Sequence, residues 1–295
     1  MKDTLQNFEP SKLVIDTKIK DKSIKKFPEL WASIARITAC GMIFIYHHSG
    51  LYEKSLGPLD FFALLIFVFL SGYFSSENGT SNYKILFTWL IRRIKAIMIP
   101  YWQVIILVIF INEFYQYKDT TFLKNIIIML GGSMFLDNPL YVISWFITLI
   151  LLLYLFIFAF QISSNKIFKF IIFIVGLSFG ILLNKYLYFL AFCAGYTVKQ
   201  IKEKYFHIAV KARFIRLNEV CFLIQNYCYS FFLIHGGVLL LAIKILKLSP
   251  VSSFIISFIL TSIITIFHYN FSLMLQKKNI FSCENKYKNQ RVNND

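Results

Sequence analysis

Arg36 and His47 are the residues whose types and spacing could do chemistry. They bound most of the stretch "RITACGMIFIYHHSG", Arg36 to Gly50, which is apolar enough to sit in a membrane. Eleven residues separate them. At about 100° per residue, eleven steps come within about 20° of whole helical turns. The two side chains therefore share one helix face, about 16 Å apart along the axis. Cys40 and Ile43 lie between them on that face, and His48 points about 100° away. An ionisable group inside a span is costly and usually faces a bundle interior or a wet cavity. A histidine there can take or give a proton, because its unperturbed pKa is about 6.5. An arginine there can hold an anion. The stripe reads as the lining of a catalytic or transport path. The plainer reading is an arginine that snorkels to the interface and a histidine that satisfies a loop carbonyl.

The rest of the chain must supply the helices that position this stripe. Of its 295 residues, 57% are hydrophobic, with a mean hydropathy of +0.62. A soluble domain is about 45–50% apolar. Runs such as Trp145–Ile162 and Val251–Phe267 reach the roughly 17–20 residues that cross a bilayer. A β-barrel would show short alternating segments instead. The expected fold is an all-α polytopic membrane protein, a helical bundle of about eight to ten transmembrane spans.

Spans are expected near 30–49, 58–76, 97–115, 141–162, 167–184, 186–198, 220–246 and 251–275. Phe122–Phe135 is apolar but short, and contains "GGS" at Gly131–Ser133. Charge decides how it is threaded. Basic clusters occur at Lys12–Lys26, Lys84–Lys95, Lys199–Arg216 and Lys277–Arg291. All four fall on the cytoplasmic side if Phe122–Phe135 does not cross. Eight crossings follow, with both termini inside. Phe122–Phe135 becomes a re-entrant or interfacial piece packed near a cavity.

This threading divides the chain into a cytoplasmic tail (1–28), a transmembrane domain (29–276) and a second cytoplasmic tail (277–295). The first 28 residues are polar and Lys-rich, unlike a signal peptide. The net charge of +16 is explained by the same inside-positive loops, without nucleic acid. Cys40, Cys193, Cys221, Cys228 and Cys283 show no CxxC or metal-type spacing, so no metal site and no disulfide framework is expected. The threading also sets depth. Arg36 lies toward the cytoplasmic end of the first span, and His47 and His48 toward its outer end. Asp60 opens the second span on the outer side, and Ser71 and Gly72 lie near its inner end. Arg92, Arg93 and Lys95 sit at the cytoplasmic mouth of the third. His235 lies in the middle or outer half of the seventh.

These residues carry a resemblance to the acyltransferase-3 family of membrane acyltransferases, which commonly O-acetylate sugars. Arg36 and His47 match that family's Arg-x10-His motif in its first span. "FVFLSGYF" (Phe67–Phe74) is similar to its FFxxSGF/Y signature, and "IRRIKAIMIPYW" (Ile91–Trp102) to its basic entry to the third span. "SWFITLILLLYLF" (Ser144–Phe156), "FLAFCAGYTV" (Phe189–Val198) and "NYCYSFFLIHGG" (Asn226–Gly237) resemble later motifs, in the family's order. The family often has a second Arg three residues after the first before span 3. Here Arg93 is followed by Ala96, and only Arg92 and Lys95 keep that spacing. The link from Gly195 to Asn226 is also short for a family of about ten spans.

The resemblance implies an acyl-CoA donor such as acetyl-CoA, used as substrate with no bound cofactor. It implies a hydroxyl acceptor on a cell-surface glycan or its lipid-linked precursor, and a bacterial plasma membrane. It also implies that His47 is catalytic. Physical roles follow from acyl transfer. His47 could take the acceptor's proton, or be acylated itself and pass the group on. Arg36, Arg92, Arg93 and Lys95 could hold the donor's phosphates, although cations also flank cytoplasmic span ends for topology alone. Ser71 and Gly72 read best as close helix packing, with an oxyanion role as the sharper reading. Asp60 could orient a histidine or serve as a first-turn acid after Gly57-Pro58. His235 could bind the acceptor or fix packing. Two other functions stay open: a non-enzymatic glycan or lipid transporter, and a degenerate family member serving as a partner subunit.

Overall fold

A computed structural model describes residues 29–75, 83–115, 118, 120–137, 140–141, 143–205 and 215–292, with backbone only for 203–205, 215–216, 244–245 and 277–292. Nine α-helices occur among the described residues, and no strand. They are α1 (Leu30–Leu51), α2 (Leu59–Tyr73), α3 (Tyr83–Tyr115), α4 (Phe122–Met129), α5 (Ser144–Ile162), α6 (Lys166–Leu182), α7 (Tyr186–Tyr205), α8 (Ile215–Leu240) and α9 (Pro250–Val292). The expected tail 1–28 lies outside the described residues. The expected tail after residue 276 continues α9 as helix to Val292.

Five segments are long and apolar enough to cross a membrane: Leu30–Leu51, Tyr83–Tyr115, Ser144–Ile162, Leu217–Ile243 and Pro250–Gln276. The sequence pattern gave eight. The other three differ for physical reasons. Helix α2 is apolar but has 15 residues, about 22 Å of helix. Helix α6 has 17 residues and begins with lysines. Helix α7 has 20, but its last third carries Lys199, Lys202, Glu203 and Lys204.

The Phe122–Phe135 piece does not cross. Helix α4 has 8 residues, about 12 Å. Its N-terminus is capped by Thr121, whose side chain accepts from the Lys124 amide. The chain then turns at Gly131, where φ is +80°, into a single 3-10 turn at Ser133–Phe135. Two side chains of α3 occupy carbonyls at the end of α4. Tyr101 O–H donates to Ile128 at 2.8 Å, and Trp102 Nε1–H to Met129 at 2.8 Å. Neither carbonyl has an i+4 partner in a helix that stops there, although Ile128 also accepts the Gly131 amide at 2.9 Å.

Helix α1 packs between α2 and α8; α2 also packs along α7, and α8 along α9. The α2–α7 contact is backbone against backbone. A Cβ at Gly72 would lie 2.0 Å from the Phe192 carbonyl oxygen, and one at Gly195 would lie 2.0 Å from that of Phe69. Only glycine fits either position. In α3, Pro100 interrupts the hydrogen-bond ladder. Nearby carbonyls are taken by side chains from other helices: Tyr229 O–H donates to Ile97 at 2.9 Å, and His268 Nε2 lies 3.1 Å from the Pro100 oxygen.

Candidate active site

Helix α1 carries the site. Its two ends face the same neighbour, α8, which runs parallel to it. Arg36 lies against Gln225, and eleven residues later His47 lies against His235.

At the Arg36 end, Nη1 donates to Gln225 Oε1 at 3.3 Å, and the guanidinium sits 5.5 Å from the centre of the Phe74 ring. Gln225 is 4% exposed. One turn along α1, Cys40 Sγ lies 3.4 Å from the Cys228 carbonyl oxygen, a further link to α8. A second arginine arrives from α3. Arg93 Nη2 donates to the Phe74 carbonyl at 3.0 Å and lies over the Trp89 ring. That carbonyl is at the C-terminus of α2, where helix carbonyls lack partners and a cation is favoured. The two guanidiniums lie close enough to repel each other. Two cations thus meet around Phe74.

Just before α1, Glu29 gathers Lys202, Lys199, Tyr73 and the Trp31 indole. Burial alone would raise the Glu29 pKa. Its hydrogen bonds from Lys202, Tyr73 and Trp31 outweigh that and hold it below the usual carboxylate value.

At the other end, the His47 and His235 rings are 5.2 Å apart, inclined at 41°. His235 is 1% exposed, whereas His47 is only half-buried. His235 Nδ1 lies 2.8 Å from the Phe232 carbonyl oxygen. Asp60, in the first turn of α2, is within electrostatic range of both His47 and Tyr188 of α7. Tyr188 packs against Trp145, over which Lys185 Nζ sits at 4.3 Å. This end therefore combines two imidazoles, a carboxylate and an aromatic pair. Among the described residues, no three His, Cys, Asp or Glu side chains form a group that could hold a metal ion.

The acyltransferase domain of the acyltransferase-3 family matches residues 29–207, well over half of the chain. The protein belongs to that family. Membership implies an acyltransferase, here in a multi-pass helical membrane protein. No curated protein and no solved structure matches the chain. The acyltransferase match spans α1 to α7. It includes Arg36, His47, Asp60 and Arg93, but Gln225 and His235 lie beyond it on α8.

The remaining candidates fall elsewhere in this acyltransferase fold. Arg92 and Lys95 are exposed, so their shared face turns away from Arg36, and Arg93 between them turns inward. Ser71 Oγ donates to the Phe67 carbonyl of its own helix at 2.8 Å, while Gly72 makes the α7 contact. His48 is 8% exposed and serves α9. Its Nε2 lies 3.1 Å from the Pro250 oxygen and 2.9 Å from Ser253 Oγ. Cys40, Cys193, Cys221 and Cys228 are free thiols, and the Cys283 side chain lies outside the described residues.

Sequence reasoning missed Gln225 and did not pair His235 with His47. Both were visible as polar residues in the apolar run of α8, ten residues apart and so close to the spacing of Arg36 and His47. Two cavities are lined mainly by apolar side chains, one between α4 and α5 and one between α5, α6 and the start of α7, and neither is lined by Arg36 or His47. Chemistry identifies the candidate site better than empty volume does.

Proposed function

We propose that the protein is an O-acyltransferase of the bacterial plasma membrane. It moves an acetyl or other acyl group from acyl-CoA to a hydroxyl of a cell-surface saccharide or its lipid-linked precursor. The observation that carries this reading is the single stripe of α1. A guanidinium joined by a second arginine lies at one end, and a half-buried histidine lies at the other.

In this mechanism the phosphates of CoA meet Arg36 and Arg93. The pantetheine arm extends along α1 and brings the thioester toward His47. Acceptor hydroxyl and thioester are then held together, which removes much of the entropic barrier. His47 takes the hydroxyl proton as the acceptor oxygen attacks the thioester carbonyl. The C–O bond forms, the C–S bond breaks, and His47 returns the proton to the departing thiolate. The products are an ester and free CoA thiol. With the His47 end facing outward and the termini inside, a cytoplasmic donor would meet an acceptor from the other side.

The test is expression of wild type and His47→Ala in a strain making a defined surface glycan, with O-acetyl content measured by mass spectrometry. Acetyl gain from the wild type alone supports the reading. Gain that survives His47→Ala removes the histidine from the mechanism. No gain across several glycans, together with no thiol release from acetyl-CoA, overturns the reading.

A further inference from the structure

His235 spends only one of its two ring nitrogens. Its Nδ1 lies 2.8 Å from the Phe232 carbonyl oxygen and 3.3 Å from that of Phe231. A carbonyl oxygen only accepts, so Nδ1 carries the hydrogen. In a neutral imidazole the other nitrogen, Nε2, is then a bare acceptor. That Nε2 is buried and has no hydrogen-bond partner. Buried polar atoms are nearly always satisfied, and one that is not calls for an explanation. Packing alone gives none, because a leucine of similar size would fill the space without an orphaned nitrogen.

The ring is also held firmly. It stacks on Phe231 at an interplanar angle of 9° and touches Phe44 and Phe232 edge-on or tilted. The His47 ring lies 5.2 Å away. Two imidazoles joined through one N–H···N bond of about 2.9 Å sit with their centres about 5 Å apart. A turn of the His47 side chain, whose terminal torsion is soft, closes the bond.

We infer that His235 is the positioning residue of His47: its bare Nε2 accepts a hydrogen bond from one His47 ring nitrogen, leaving the other free to take the acceptor's proton. The inference rests on His47 acting as the base, as set out under Proposed function. The resulting order is Phe232 carbonyl, His235, His47, acceptor hydroxyl. A backbone carbonyl fixes the tautomer of the first imidazole, and that imidazole fixes the second. The orienting partner of a catalytic histidine is here a neutral ring, where many enzymes use a carboxylate.

The experiment compares wild type, His235→Gln and His235→Leu as full-length protein in detergent. Glutamine places an amide oxygen near the position of Nε2, whereas leucine keeps bulk without an acceptor. Two readouts are taken. The first is the rate at which diethyl pyrocarbonate carbethoxylates His47, followed by peptide mass spectrometry, which needs no acceptor substrate. The second is acyl transfer, with kcat and KM separated. His235→Leu is expected to slow His47 modification about tenfold and to lower kcat about 10–100-fold at unchanged KM for acetyl-CoA, with His235→Gln retaining most of both. Equal behaviour of Gln and Leu, or wild-type rates in Leu, overturns the inference. Should His235→Leu lose its cooperative thermal transition, His235→Met takes its place and is read the same way. A His47→Ala variant that still transfers acyl groups overturns the base assignment instead, while the carbethoxylation rates still report on the two rings.

Discussion

The two ends of α1 solve opposite problems with the same neighbour. At one end α8 offers Arg36 a neutral amide, Gln225. The Phe74 ring beside that guanidinium is also uncharged, the nearest charged group is the like-charged Arg93, and no carboxylate bonds to it among the described residues. Glu29 lies near by in sequence, but it is engaged by Lys202, Tyr73 and Trp31. Arg36 is therefore held in place without being neutralised, which leaves its charge available to an anion. At the other end α8 offers His47 an imidazole. What stays available there is a lone pair. In the proposed mechanism the anion site thus conserves charge and the proton-transfer site conserves basicity, with Gln225 and His235 as neutral partners on α8.

The largest effect is expected where the lone pair is removed. His47→Ala should lower acyl transfer by about 10²–10⁴-fold with KM for acetyl-CoA little changed, measured as thiol release. The Arg36 end should respond in the opposite parameter. Arg36→Met should raise KM for acetyl-CoA roughly 10–100-fold, the loss expected from a charged hydrogen bond of about 1.5–3 kcal/mol. Arg36→Lys should recover only part of that, because an ammonium cannot replace the fork. If Arg36→Met lowered kcat alone, the two ends would not be divided between binding and chemistry.

A smaller contrast separates the arginines of α3. Arg93→Ala should raise KM for acetyl-CoA by roughly tenfold, and Arg92→Ala and Lys95→Ala by less than about twofold. Equal effects would mean that the exposed face of α3 also meets the donor. The smallest effect belongs to Glu29. Its lowered pKa stabilises the fold at pH above the ordinary carboxylate value, and that contribution is lost as pH falls through the lowered one. Glu29→Gln should reduce stability by about 1 kcal/mol or less at pH 7. The gap in thermal midpoint between it and wild type should close as the pH drops below about 4.

The α1 stripe was legible because helical geometry alone puts residues eleven apart on one face. The same arithmetic split His48 from His47, and the structure gives His48 to α9 through Ser253. The short Phe122–Phe135 piece was legible from its length and glycines. What a single sequence could not supply was lateral pairing. Whether Arg92 or Arg93 turns inward depends on where α2 ends, because Arg93 finds the Phe74 carbonyl there. The i, i+3 spacing of Arg92 and Lys95 describes a real face, but an exposed one. Gln225 gained meaning only once α8 lay alongside α1 in parallel. The span count exceeded the number of long apolar helices because hydropathy registers α2, α6 and α7 as apolar without registering where each stops.

The glycine contact between α2 and α7 has a mechanical consequence. Turning either helix by one residue would replace a hydrogen with a side chain where 2.0 Å already separates a would-be Cβ from a carbonyl oxygen. The pair is thus one beam, keyed against rotation. Asp60 rides on one half of it and Tyr188 on the other, so that wall of the site is a fixed datum. In the proposed mechanism, acceptors of different size would have to be accommodated by the opposite wall, where side chains rather than backbones touch.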